Sequence, residues 1–98
     1  MLLLAPKELV LEIAKRVRVL RLENGWTQRE LAARAGIQPA TYQLFERTGQ
    51  IAFERLYRIA VALHRKDEFE GLFKPRPVRD IDELLPKPDR KRGRRTTK

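Results

Sequence analysis

Thr27-Gln28-Arg29-Glu30-Leu31-Ala32-Ala33-Arg34-Ala35-Gly36-Ile37-Gln38-Pro39-Ala40-Thr41-Tyr42-Gln43-Leu44-Phe45-Glu46-Arg47-Thr48-Gly49 is the stretch whose reading decides the fold. Thr27 is a good helix N-cap, and Glu30 three residues later completes a capping box. Leu31 and Ala35 give the helix that follows a core side, and Gly36 ends it. Ile37 is a single apolar residue in a tight connection. Pro39 then opens a second helix, with Gln38 at its cap, because proline lacks only an N–H that the first turn does not use. Tyr42 and Phe45 are the inward residues of that helix, and Gly49 ends it.

Two short helices joined by about four residues that include a glycine form the helix-turn-helix pattern. The first helix of such a pair braces across a phosphate backbone, and the second is held at an angle that admits it to the major groove. Ala32 and Ala35 are small where two helices must approach closely. The chain on either side is also helical. Upstream, Pro6 suits a first turn, Leu9, Ile13, Val17 and Leu20 recur at helical spacing, and Asn24-Gly25 stops the helix. Downstream, a fourth helix is expected over Phe53 to Leu63, with Phe53, Leu56, Ile59, Ala60 and Leu63 inward. One more helical turn is expected between Asp67 and Phe73. Lys74-Pro75-Arg76-Pro77 cannot be regular helix, and Asp80 can cap a brief turn from Ile81 to Leu85. No strand pattern with hairpin turns and no internal repeat is present.

At 98 residues the chain allows one compact domain, and a deep enzymatic cleft is hard to build. The division expected is a helix-turn-helix domain over 1–73 and a proline-containing extension with a basic tail over 74–98. Lys and Arg number 22 against 13 acids, for a net charge of +9, which favours a polyanionic partner. Residues 87–98 carry +6 of that charge and the first 86 residues only +3. A basic tail alone is weak support for DNA binding, so the argument rests on the body. The absence of cysteine excludes disulfide and thiolate chemistry and suits the cytoplasm. Met1 to Leu4 is too short for a signal peptide, and no apolar run reaches the length of a membrane span. No nucleophile–base pair, phosphate-cradling loop or metal-ligand spacing is visible, so no enzyme, cofactor or metal is expected.

Arg18-x-x-Arg21, Trp26-Thr27-Gln28-x-Glu30-Leu31-Ala32-x-x-Ala35-Gly36-Ile37 and Thr41-x-x-x-Phe45-Glu46 closely resemble the XRE family, the Cro and phage-repressor class of DNA-binding domains. The resemblance spans roughly residues 9–64. It implies an all-α, lambda-repressor-like bundle of about five short helices, followed here by a basic flexible tail. It also implies a phosphate contact at Gln28 and a structural ion pair between Arg21 and Glu46. Gln38, Pro39, Ala40, Gln43 and Leu44 match the exposed, base-reading positions, with Thr41 at their edge. Gln can read adenine, and Ala and Leu can meet a thymine methyl. Arg18, Arg29 and Arg47 are candidates for phosphate contacts. The chain departs from the family pattern in having Gln38 where a serine cap is common, Pro39 without an N–H, and Thr48 before the terminal glycine.

Phe45-Glu46-Arg47-Thr48-Gly49, Phe53-Glu54-Arg55-Leu56, Glu68-Phe69-x-x-Leu72-Phe73, Asp82-Glu83-Leu84-Leu85 and the Arg-rich end are further similar to HipB-like antitoxins. That likeness implies a homodimer on operator DNA that also binds a HipA-like kinase toxin and represses its own operon. The alternative is a protein-interaction module that neutralises a partner, with DNA binding secondary. Leu44 is open between an ordinary exposed leucine, a buried one and a methyl reader. Trp26 reads as a core staple, and His64 as a plain helix-terminal residue. Phe69, Leu72 and Phe73 either cap the core or meet a partner. Ile81, Leu84 and Leu85 either pack or form a dimer or toxin interface. The tail has three readings: tracking DNA, docking on an acidic partner, or keeping the protein in solution.

Overall fold

The computed structural model describes residues 4–76. Five helices follow one another: α1 (Pro6–Glu23), α2 (Gln28–Ala35), α3 (Pro39–Thr48), α4 (Phe53–Ala62) and α5 (Lys66–Glu70). No strand occurs among the described residues. The arrangement is the all-α, lambda-repressor-like bundle. The expected turn at Ile81 to Leu85 and the basic tail lie outside the described residues.

Local chemistry sets the helix ends. The Thr27 hydroxyl accepts the Glu30 N–H at 3.1 Å, while the Glu30 carboxylate accepts the Thr27 N–H at 2.7 Å. Two otherwise orphaned donors are thereby satisfied at the start of α2. Gly36 closes α2 in the left-handed region at φ 71°. Gln38 stands at the N-cap of α3 with Pro39 in the first turn, and Gly49 ends the helix at φ 81°. α1 packs on α3, α2 packs on both α3 and α4, and α5 packs on α4. The core joins Ala14, Val17, Leu31, Ala32, Ala35, Tyr42, Phe45, Ile59 and Leu63. Trp26 and Ile37 are half-buried against it. Ala32 and Ala35 are buried at the contact they were expected to serve.

Three expectations need correction. Leu9 is 44% exposed rather than inward. α1 is about 27 Å long at 1.5 Å per residue, whereas α2, α3 and α4 run only about 12–15 Å. Residues 4–10 are exposed, Leu11 to Ile13 are half-buried, and Ala14 is the first buried residue of α1. Phe53 is 65% exposed. Its ring leans toward α5, 5.4 Å from that of Phe69, and the core side of α4 starts at Leu56 instead. The last helix stops at Glu70 rather than reaching Phe73, which is left-handed at φ 58° and 98% exposed. His64 follows α4 with φ 62°, a conformation that ordinarily favours glycine. Its N–H donates to the Val61 carbonyl at 3.0 Å and the Arg65 N–H to that of Ala60 at 2.8 Å, closing the helix end.

Gly49 does more than end α3. A β-carbon at that position would lie 2.7 Å from the Val10 carbonyl carbon and 2.8 Å from its oxygen, so α1 and the end of α3 touch backbone to backbone. At Gly36 a β-carbon would meet only the tip of the Arg58 side chain, at an ordinary 3.5 Å. Both Gly→Ala substitutions carry the left-handed penalty, but only Gly49→Ala adds a clash with main chain. Urea denaturation is expected to show Gly49→Ala less stable than Gly36→Ala by about 1–3 kcal/mol, the usual cost of overpacking.

Candidate nucleic-acid interface

The inner face of α3 carries a carboxylate that three helices converge on. Arg21 of α1 donates from Nε to Glu46 Oε2 at 2.8 Å and from Nη2 to Oε1 at 3.1 Å. Gln28 of α2 donates from Nε2 to Oε1 at 2.8 Å. The Tyr42 hydroxyl, one turn earlier on α3, donates to Oε2. Arg21 also donates from Nη1 to the Trp26 carbonyl at 2.8 Å, which fixes the connection between α1 and α2. Both charged side chains are more than nine-tenths buried. A buried charge is tolerable only when paired and hydrogen-bonded, and this carboxylate has four donors.

The electrostatics follow from this geometry. Burial works against the Glu46 charge, but the hydrogen bonds from Arg21, Tyr42 and Gln28 outweigh it and hold the carboxyl below its ordinary range. Burial, reinforced by the neighbouring carboxylate, pushes the Tyr42 phenol above its ordinary value. The bond to Glu46 raises Arg21, overcoming the opposing effect of burial.

With its inner face so engaged, α3 turns Ala40, Gln43, Leu44 and Arg47 outward. These positions repeat at the spacing of a single helical stripe. Gln38 is exposed at the N-terminus, and Pro39 and Thr41 are half-buried beside it. Leu44 is 39% exposed, which rules out the buried alternative. Arg18 on α1 and Arg29 on α2 are exposed. Gln28 is half-buried, and one of its two amide hydrogens serves Glu46 instead of facing solvent. Besides the Gln28–Glu46 bond, two contacts stand outside the sequence pattern. Tyr42 stood only as a core aromatic, although it lies four residues before Glu46 on the same helix face. Arg34 was not singled out, yet its guanidinium lies 4.2 Å above the Trp26 ring.

The helix-turn-helix family model matches residues 17–69, more than half of the chain. The chain belongs to the helix-turn-helix family. The match places this helix-turn-helix protein in the XRE family, as a DNA-binding transcription regulator. Comparison with curated proteins and with solved structures gives no match. Among the described residues, no helix is long and apolar enough to cross a membrane. Among the same residues, no group of three acidic, His or Cys side chains is placed to hold a metal ion.

Removing a partner from the buried network strands a charge. Arg21→Ala is expected to lower the unfolding free energy by about 3–5 kcal/mol. Tyr42→Phe, which deletes one donor to a charged acceptor, is expected to lower it by about 1.5–3 kcal/mol. The pH profile carries the same signature. The lowered Glu46 carboxyl contributes stability above its ordinary value of about 4.3, lost as pH falls through the lower folded value. The raised Tyr42 phenol contributes stability below its ordinary value of about 10, lost as pH rises through the higher folded value. Thermal melts across pH should therefore show Glu46→Gln with a flattened acid limb and Tyr42→Phe with a flattened alkaline one.

Proposed function

We propose that the protein is a transcriptional repressor that inserts α3 into the major groove of an operator and covers the promoter as a homodimer. The observation that carries this reading is the division of α3. Its inner face is held by Glu46, while Ala40, Gln43, Leu44 and Arg47 form a solvent-facing stripe. Gln38, Pro39, Ala40, Thr41, Gln43 and Leu44 are the proposed base-reading positions. Arg18, Arg29 and Arg47 are the proposed phosphate partners, with Gln28 contributing through the start of α2. The DNA-binding unit is assigned to 1–73, and 74–98 is an appended segment whose charge adds salt-dependent affinity.

A protein contact is the second element of the proposal. α4 and α5 enclose an open depression of about 440 Å³ lined by Phe53, Tyr57, Phe69, Glu70, Leu72 and Phe73. So much exposed aromatic surface on a small domain favours a protein partner. The homodimer is the first occupant to test, with Phe69, Leu72 and Phe73 at its centre; Ile81, Leu84 and Leu85, outside the described residues, are further candidates for the contact. In the antitoxin form of the proposal, this region and the tail meet a HipA-like kinase toxin, and the complex represses its own operon. That form rests on the likeness to HipB-like proteins in the second half of the sequence.

Fluorescence anisotropy against the upstream DNA and a shuffled duplex, over a salt series, tests the operator reading. The upstream duplex is expected to bind at least ~10³-fold more tightly. Changing Gln43 and Leu44 together to Ala should remove most of that preference while leaving the salt slope in place. Equal binding to both duplexes with a steep salt slope would mean that charge alone holds the DNA. Light scattering after size exclusion tests the dimer. The full chain is expected at twice its monomer mass, and Phe53→Ser with Phe73→Ser at the monomer mass.

A further inference from the structure

The outward stripe of α3 has an unusual chemistry for a helix that meets DNA. From Gln38 to Glu46 there is no Arg or Lys, so the bidentate partner that best reads guanine is missing from the first two turns. The single acid of the helix, Glu46, is turned inward and already accepts four hydrogen bonds. No carboxylate therefore remains on α3 to accept from the cytosine amino group. Pro39 adds an apolar ring where another residue would offer an N–H. The N-cap and the stripe together present two amides, Gln38 and Gln43, and two hydrocarbon side chains, Ala40 and Leu44, with charge only at Arg47 in the last turn. Neither amide makes a side-chain hydrogen bond among the described residues. Ala40 and Leu44 lie one turn apart and stand one above the other on the helix.

In the major groove the hydrocarbon feature of a base pair is the C5 methyl of thymine, and an amide pairs bidentately with adenine. We infer that Leu44, backed by Ala40, senses a thymine methyl, so that each half-site carries a 5-methylpyrimidine next to an adenine read by Gln43. The inference rests on α3 being the base-reading helix. It assigns that helix a ligand class, an A·T step identified in part by its methyl group. A leucine 39% exposed on a helix whose inward aromatics are fully buried offers its hydrocarbon outward and loses it to water in the free protein. Burial against a methyl removes both groups from water at once.

The test uses the full chain and duplexes enriched from a random-sequence pool. In the winning duplex each thymine is replaced in turn by deoxyuridine, which deletes the methyl and leaves the pairing edge and O4 unchanged. At one thymine per half-site, the deoxyuridine duplex is expected to bind about fourfold more weakly, the worth of one buried methyl-sized group. Leu44→Ala is expected to bind the two duplexes alike at that position. Gln43→Ala is expected to keep the methyl effect and lose the preference for the adjacent adenine. The deoxyuridine scan with the unaltered chain stands apart from whether any variant folds. No penalty at any thymine of an enriched duplex, or an undiminished penalty in Leu44→Ala, overturns the inference and leaves α3 as the reading helix. A pool from which nothing is enriched overturns both.

Discussion

One buried carboxylate organises this molecule. Glu46 sits on α3 with Arg21 from α1, Gln28 from α2 and Tyr42 from its own helix donating to its two oxygens. Apolar packing can hold helices together at many small rotations. A charge out of water accepts only the arrangement that brings every donor within reach. The network therefore sets how α3 is rolled about its axis, and that roll decides which side chains look outward. Gly49 enforces the same placement from the other end, where the helix terminus meets the α1 main chain at Val10.

Much of this was legible in the sequence because the signals were local. The capping box at Thr27 and Glu30, the left-handed ends at Gly36 and Gly49, and Pro39 in a first turn each depend on a few neighbouring residues. Tyr42 and Phe45 facing inward followed from helical period, whereas Leu44, open in the sequence, is placed outward by its exposure. What failed depended on distant neighbours. Leu9 repeats at helical spacing, yet 44% of it stays in solvent. The direction of Phe53 is decided by Phe69, sixteen positions later in the chain. Period cannot show that Gln28 spends a donor on a carboxylate of the next helix, nor that the hydroxyl of Tyr42 joins in. His64 gave no signal of its backbone, since a left-handed histidine looks like any other in sequence.

The outer surface of α4 and α5 follows a different logic from that of α3. Phe53 and Tyr57 stand four residues apart on α4 and both rings meet Phe69, so the aromatic cluster is built across two helices. It shares no residue with the α3 stripe or with the Glu46 network. Contacts made there need not disturb the orientation of α3.

The two faces of α3 also bear on how such a protein can change. Tyr42, Phe45 and Glu46 are answerable to the fold, whereas Ala40, Gln43, Leu44 and Arg47 make no buried contact on which the fold depends. Four solvent-facing positions can thus be exchanged while the scaffold keeps its stability and its pose. Under the proposed reading, the surface offered to DNA could change through those positions alone, without passing through an unfolded intermediate sequence. A helix that keeps its anchor and its vocabulary on opposite sides is free to learn new words.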